Sequence, residues 1–179
     1  MVSIHGYDQG YVYESMGSRP DLFGVVKRFA PTNPTSIASG IFKGRDTQIF
    51  KFILHQSGLI DLLDDPLANL TVFVPVDSAI ERKWDEQVIN NLDRYTARNI
   101  VLYSCFDGYL DMRALRSDLE QYINTRIPGQ RLHVINYNET VLDRKATVIR
   151  GDVRFGNGIV HVVDDILVPL NVSGGKLII

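Results

Sequence analysis

An α+β domain is predicted for this chain by three observations. Helical segments prevail between residues 46 and 106 of its 179 residues, and short β-rich runs between turn residues fill the last third. The length is that of about one domain, and an apolar fraction of 45% is enough to build one core. Helices first and strands later imply antiparallel sheet folded over a common core, with no internal repeat or coiled-coil heptad.

Residues 1–35 differ from the rest, with Pro20, Pro31 and Pro34 as breakers and apolar anchors only in residues 21–29. They read as an extended arm. Its aromatic side chains, Tyr7, Tyr11, Tyr13, Phe23 and Phe29, are costly to leave in water. They are expected to dock on this domain or, in a sharper form, on a neighbouring subunit.

After Asp46 or Thr47 as a candidate N-cap, Ile49, Phe50, Ile53 and Leu54 share one helical face, and Gly58 is placed as the C′ residue. Residues 59–63 add a turn, stopped by Asp64-Asp-Pro66, and residues 70–74 form a buried strand. Residues 78–84 and 85–92 read as short helical turns, 95–106 as a helix passing into a strand, and 109–119 as a short link. Strands are expected at 120–127, 131–137, 140–142, 147–149, 159–163 and 166–168, with turns at Pro128-Gly129 and Asn157-Gly158.

The net charge of −2 is evenly distributed, so no basic face exists of the kind that nucleic acid requires. Cys105 is the one cysteine; its apolar setting reads as a buried structural thiol, and an intrachain disulfide is excluded. The first ten residues lack a basic start, an apolar segment and a cleavage site, and no apolar run is long enough to span a bilayer. The expected setting is therefore intracellular or within a virion, and extracellular if a signal was trimmed.

Two segments carry the most information. Thr71-Val-Phe-Val-Pro-Val-Asp-Ser-Ala-Ile80 joins a β-branched run to Pro75, and Asn157-Gly-Ile-Val-His-Val-Val-Asp164 launches a second such run from a turn pair. Together they resemble the two signature boxes of the fasciclin-type adhesion domain, with Thr71, Phe73, Pro75, Asp77, Asn157, Gly158, His161 and Asp164 in register. Between the boxes, Leu102-Tyr-Ser104 stands where the family carries Leu-Tyr-His, so Tyr103 matches and Ser104 departs. The resemblance covers residues 36–170, with 171–179 left as a tail. It implies a fasciclin-like fold: helices packed against a folded-over antiparallel β-sheet wedge. It also implies a largely buried, hydrogen-bonded His161 and a role in adhesion or protein interaction.

No Gly-x-Ser-x-Gly elbow, phosphate-cradling loop, His-Glu-x-x-His or cysteine pair is present, so no catalytic residue, metal site or cofactor is expected. The pairs Asp64-Asp65 and Asp164-Asp165 lack calcium-loop spacing and read as turn or cap residues. Arg150-Gly-Asp152 is the tripeptide that integrins recognise when it is exposed outside cells. Its structural reading is a strand-entry turn in which Asp152 accepts backbone hydrogen bonds and Val153 is buried. The resemblance implicates this segment in receptor contact, which makes Arg150, Asp152 and Val153 candidate partner-binding residues. Three glycosylation sequons begin at Asn69, Asn138 and Asn171, and none can be used without a secretory route.

These features point to a non-catalytic interaction module acting as a structural subunit of a multi-protein assembly. By analogy of fold, such a subunit suits a minor capsid or virion component of a large DNA virus. The alternatives are an extracellular adhesion protein binding an integrin-like receptor or matrix partner, and a small-ligand binder or enzyme. Nucleic acid and membrane insertion are not expected. The expected core is Val72, Phe73, Val74, Leu102, Ile159, Val160, Val162 and Ile166, and Asp77 is expected to cap the helix that follows Pro75.

Overall fold

The two signature strands lie side by side within the sheet. β3 (Leu70–Pro75) and β9 (Gly158–Val163) run parallel, with Phe73 opposite His161, in the computed structural model. The structure describes residues 18–20, 26–28, 30–173 and 175–177. Every residue of both strands is buried, because each strand is covered on two faces. Val72, Val74, Val160 and Val162 face a core built with the helices, whereas Phe73 and Val163 face a second core enclosed by the curling sheet.

The helices come from capped, amphipathic segments. α1 (Ile37–Lys43) starts at Ser36, whose hydroxyl accepts from the Ser39 N–H at 3.1 Å. α2 (Gln48–Ser57) buries Ile49, Phe50, Ile53 and Leu54 and ends at Gly58 in the left-handed conformation, φ 73°. α3 (Ile60–Asp64) and α4 (Asp77–Lys83) flank β3. α5 (Glu86–Asn90) and α6 (Arg94–Tyr103) start at Asp85 and Asp93, each accepting from the N–H three residues on. The remaining strands are β4 (Cys105–Asp107), β5 (Glu120–Asn124), β6 (Arg131–Asn136), β7 (Thr140–Leu142) and β8 (Ala146–Phe155), with α7 (Met112–Leu115) before β5.

The seven strands follow the order β4-β3-β9-β8-β7-β6-β5. Every neighbouring pair is antiparallel except β3 and β9. The expected α+β fold with a folded-over, mainly antiparallel sheet is observed, and β3 with β9 is its one parallel pair. The two boxes are far apart in the chain, and the long excursion between them allows a parallel crossover. The sheet curls until its ends approach, with the Arg126 N–H donating to Leu102 O and Cys105 O, both at 3.2 Å.

Seven of the eight expected core residues are buried; Leu102 is half-buried at the margin of the helical core. Residues 166–168 are not a strand. Ile166 and Leu167 are fully buried, so their apolarity reports packing and not ladder pairing. The run expected at 147–149 extends to ten residues as β8. Gly158 is also required for a different reason from the turn that was expected. Its φ is not positive, but a Cβ there would lie 2.2 Å from Leu70 O across the parallel ladder.

Thr32, Asn33 and Ser36 converge on the buried carboxylate of Asp64. The Thr32 N–H donates at 2.8 Å and the Ser36 hydroxyl at 2.6 Å. The Gly156 N–H donates to Thr35 O at 2.8 Å, so residues 32–35 are tied to the domain. Two short antiparallel pairs complete the described structure: β1 (Ser18–Pro20) with β2 (Val26–Arg28), and β10 (Val172–Ser173) with β11 (Lys176–Leu177).

Candidate functional site

Arg150, Gly151, Asp152 and Val153 do not enter a strand; they form a bulge within β8. The pairing of β8 with β9 slips between Val148 and Arg150 and again between Arg150 and Val153. Asp152 takes the left-handed conformation, φ 58°, which turns its carboxylate toward α7, where it accepts from the Met112 N–H at 2.8 Å. That bond satisfies a first-turn donor of α7, while Asp111 caps the same helix by accepting from Ala114 at 2.8 Å. Gly151 is forced by close approach, since a Cβ would meet Met112 Cγ at 2.5 Å. The Asp152 carboxylate does accept a backbone bond, but from within a bulge and not at a strand entry, and Val153, expected to be buried, is half-buried against the helical core.

His161 anchors the bulge from below. Its ring is fully buried, with Nδ1 accepting from the Asp152 N–H at 3.1 Å and Nε2 against Leu110 O at 2.6 Å. A carbonyl can only accept, so the Nε2 position carries the proton and the imidazole is neutral. Burial lowers its pKa; the Leu110 bond and the acids Asp152 and Asp111 oppose that shift only in part. A neutral ring with both nitrogens occupied is a structural strut, with no free position for acid–base work.

The surface around the bulge alternates in sign. The Arg150 guanidinium lies 3.4 Å from the Asp46 carboxylate, and the Arg154 guanidinium lies 3.7 Å from Asp111 and over the Tyr109 ring, 6.0 Å from its centroid. Arg150 and Asp152 are exposed, yet each charged end already has a partner within the domain. Tyr109, Asp111 and Met112 were not singled out from the sequence, and Asp46 was expected only as a candidate helix cap, not as the partner of Arg150. Only Asp111 left a local signal, as the cap three residues before Ala114.

The other signature residues are also engaged internally. Thr71 Oγ donates to Gly108 O at 2.7 Å and accepts from Leu110 at 2.9 Å. Phe73 packs edge-on against Phe106, centroids 5.3 Å apart, and Pro75 ends β3 opposite Val163. Asp77 does not cap its own helix, whose N-cap Val76 has no side-chain bond. Its carboxylate instead accepts from the Ile49 N–H at 2.8 Å and so caps α2, where Thr47 spends its hydroxyl on Ile41 O. Burial raises the Asp77 pKa, with the bonds to Ile49 and Gln48 opposing it.

The Tyr103 hydroxyl donates to Asp143 at 2.6 Å and is pushed above the ordinary phenol range, first by burial and then by that carboxylate. Asn157 is buried and clamps three segments. It accepts from the Ile37 N–H at 2.9 Å and donates to Leu63 O at 2.8 Å and Asp65 O at 3.0 Å. Asp164 accepts from Thr147 at 2.7 Å. Ser104 is buried and donates to Ile100 O at 3.1 Å. The Cys105 thiol is fully buried and pushed up to about 12 by that burial.

The arm candidates Tyr7, Tyr11, Tyr13, Phe23 and Phe29 lie outside the described residues. Among the described residues no cluster of three metal-ligating side chains occurs, and no helix is long and apolar enough to cross a membrane. An open cleft of about 540 Å³ is lined by Thr32, Asn33, Asp61, Asp64, Asp65 and Pro66. Among the described residues that line it there is no His, Cys, Lys or Arg.

The chain is similar to human periostin, 27% identical over 128 residues; the match spans 71% of this chain and 15% of periostin. It also resembles the solved structure of a FAS1 domain pair from the insect cell adhesion molecule fasciclin I. That match has a TM-score of 0.63 at 20% identity, over 78% of this chain and 52% of that one. The model of the fasciclin domain matches residues 45–169, which include both signature boxes and the bulge. The chain belongs to the fasciclin domain family.

Proposed function

We propose that the protein is a non-catalytic interaction module whose partners are other proteins and which serves as a structural subunit of a larger assembly. One observation carries this reading. The polar residues that define the family boxes, Thr71, Asp77, Asn157, His161 and Asp164, are spent on hydrogen bonds to backbone inside the domain. A catalytic site keeps such groups free to meet a substrate, whereas a display scaffold uses them to fix its shape. The aromatic arm supplies the gripping element, because a segment of that composition is too short to bury its own rings. The narrowest form, a minor capsid subunit, rests on analogy of fold, which by itself assigns no function.

A second reading is favoured by the fasciclin I relative, which is described as a cell adhesion molecule. In this form the protein is extracellular, and the β8 bulge with Arg150, Asp152 and Val153 meets a receptor. The test is a photo-crosslinking amino acid placed at Tyr11, Phe23 or Arg150 in the native setting. Crosslinks from Tyr11 or Phe23 to another chain support the assembly reading. Crosslinks confined to Arg150 and a surface receptor favour adhesion, and intermolecular crosslinks from none of the three reject both.

A further inference from the structure

We propose that the free edge of β5 is a docking surface for a second copy of this chain, which adds its own β5 antiparallel to the first across a two-fold axis. The sheet has two end strands, and they differ. β4 has its outer side engaged where the Arg126 N–H reaches Cys105 O. On β5, the bonds from the Asn136 N–H to Leu119 O and from the Thr125 N–H to Gln130 O fix which residues face β6. Glu120, Tyr122 and Asn124 therefore aim their N–H and C=O groups away from β6. Among the described residues no hydrogen bond reaches those groups, and all three side chains are exposed. The strand has no Pro, Lys or bulge to discourage pairing.

The edge is complementary to itself. With Tyr122 opposite the second copy's Tyr122, Glu120 falls opposite the second copy's Asn124. The three donors and three acceptors of each copy are then all matched, which is the isologous arrangement of a two-fold contact. Charge is complementary in the same register. Glu120, whose carboxylate also meets His133 Nε2 within its own sheet, marks one end of the edge, and Arg131, the cross-strand neighbour of Asn124, marks the other, so each acid approaches the basic end of the other copy. Tyr122 is held in place before docking. It stacks on His133 with centroids 4.5 Å apart and 6° between planes, and the Arg131 guanidinium lies 5.0 Å from its centroid. Little side-chain freedom remains to be lost on docking. A contact this short belongs to the weak, concentration-dependent class, and it does not depend on the partners proposed above.

Sedimentation velocity on the full chain, from about 1 μM to about 1 mM, should show a monomer–dimer equilibrium. Tyr122→Pro removes an outward donor that the monomer does not use and should weaken association at least about 10-fold. Glu120→Arg should also weaken it, and Glu120→Arg with Arg131→Glu should restore it. This charge pair decides the matter if Tyr122→Pro does not fold. Hydrogen exchange at the amides of Glu120, Tyr122 and Asn124 should slow as concentration rises. A monomer throughout, protection of those amides already at the lowest concentration, or a dimer lost on deletion of residues 1–29 but unaffected by the β5 variants would overturn the proposal.

Discussion

Replacing Asn157 with Ala removes a clamp between the start of α1, the end of α3 and the entry to β9. The amide is fixed in one orientation, because its oxygen faces an N–H donor and its nitrogen faces two carbonyls. Alanine strands the Ile37 N–H and the Leu63 C=O, both on fully buried residues. Each orphaned buried group costs about 1 to 3 kcal/mol. Asp65 is exposed, so its carbonyl can turn to water and adds little. The expected loss is about 2 to 6 kcal/mol, read as a lower urea midpoint with an unchanged m-value. Asn157→Asp is the sharper contrast. It keeps the acceptor for Ile37 but sets a carboxylate against two carbonyls, so near neutral pH it should lose more than the Ala variant. Its folded-state pKa is then raised, and its deficit should shrink as pH falls and the acid regains a donor. A loss below about 1 kcal/mol for Ala, or an Asp variant more stable than Ala at neutral pH, would refute the clamp.

Phe73→Ala should cost about 3 to 5 kcal/mol in a denaturant melt, since the ring is fully buried against Phe106 and His161; an unchanged melt would mean that it does not carry the inner core. Asp77→Ala should cost about 1 kcal/mol and speed exchange of the Ile49 amide specifically, whereas Asp77→Asn keeps the acceptor and should lose less. For His161 the folded pKa is lowered, so the unfolded chain binds the proton more readily and stability must rise with pH. The contribution is present above the unfolded value of about 6.5 and is lost as pH falls through the folded value. Melting temperature across that window should drop more steeply for the wild type than for His161→Asn, and parallel curves would contradict it.

The parts of the fold readable in the sequence were those whose cause is local. Gly58 marks a helix end because a left-handed residue is needed there, and the apolar positions of residues 49–54 repeat at the helical period. Residues 70–75 and 158–163 are β-branched and buried on both faces, so their strands are plain from composition. What escaped depends on residues distant in sequence. Asp77 looks like a cap for its own helix, yet the donor that it meets is Ile49, brought near only by folding. Residues 166–168 have strand composition but pair with no strand among the described residues. The turn read at Asn157-Gly158 is present one residue earlier, as Gly156-Asn157 between β8 and β9, whereas the long-range clamp of Asn157 and the tight backbone approach at Gly158 left no local sign. The two register slips that turn Asp152 toward α7 have no sequence mark beyond Gly151.

The central claim, that this domain acts by holding other proteins through its arm, is tested most directly by truncation. Removing residues 1–29 leaves the Thr32–Asp64 and Thr35–Gly156 bonds in place, whereas removing residues 1–35 breaks them. The shorter deletion should therefore preserve the melting temperature while sharply reducing recovery of the protein in its native assembly. Undiminished recovery of a folded protein lacking residues 1–29 would contradict the account.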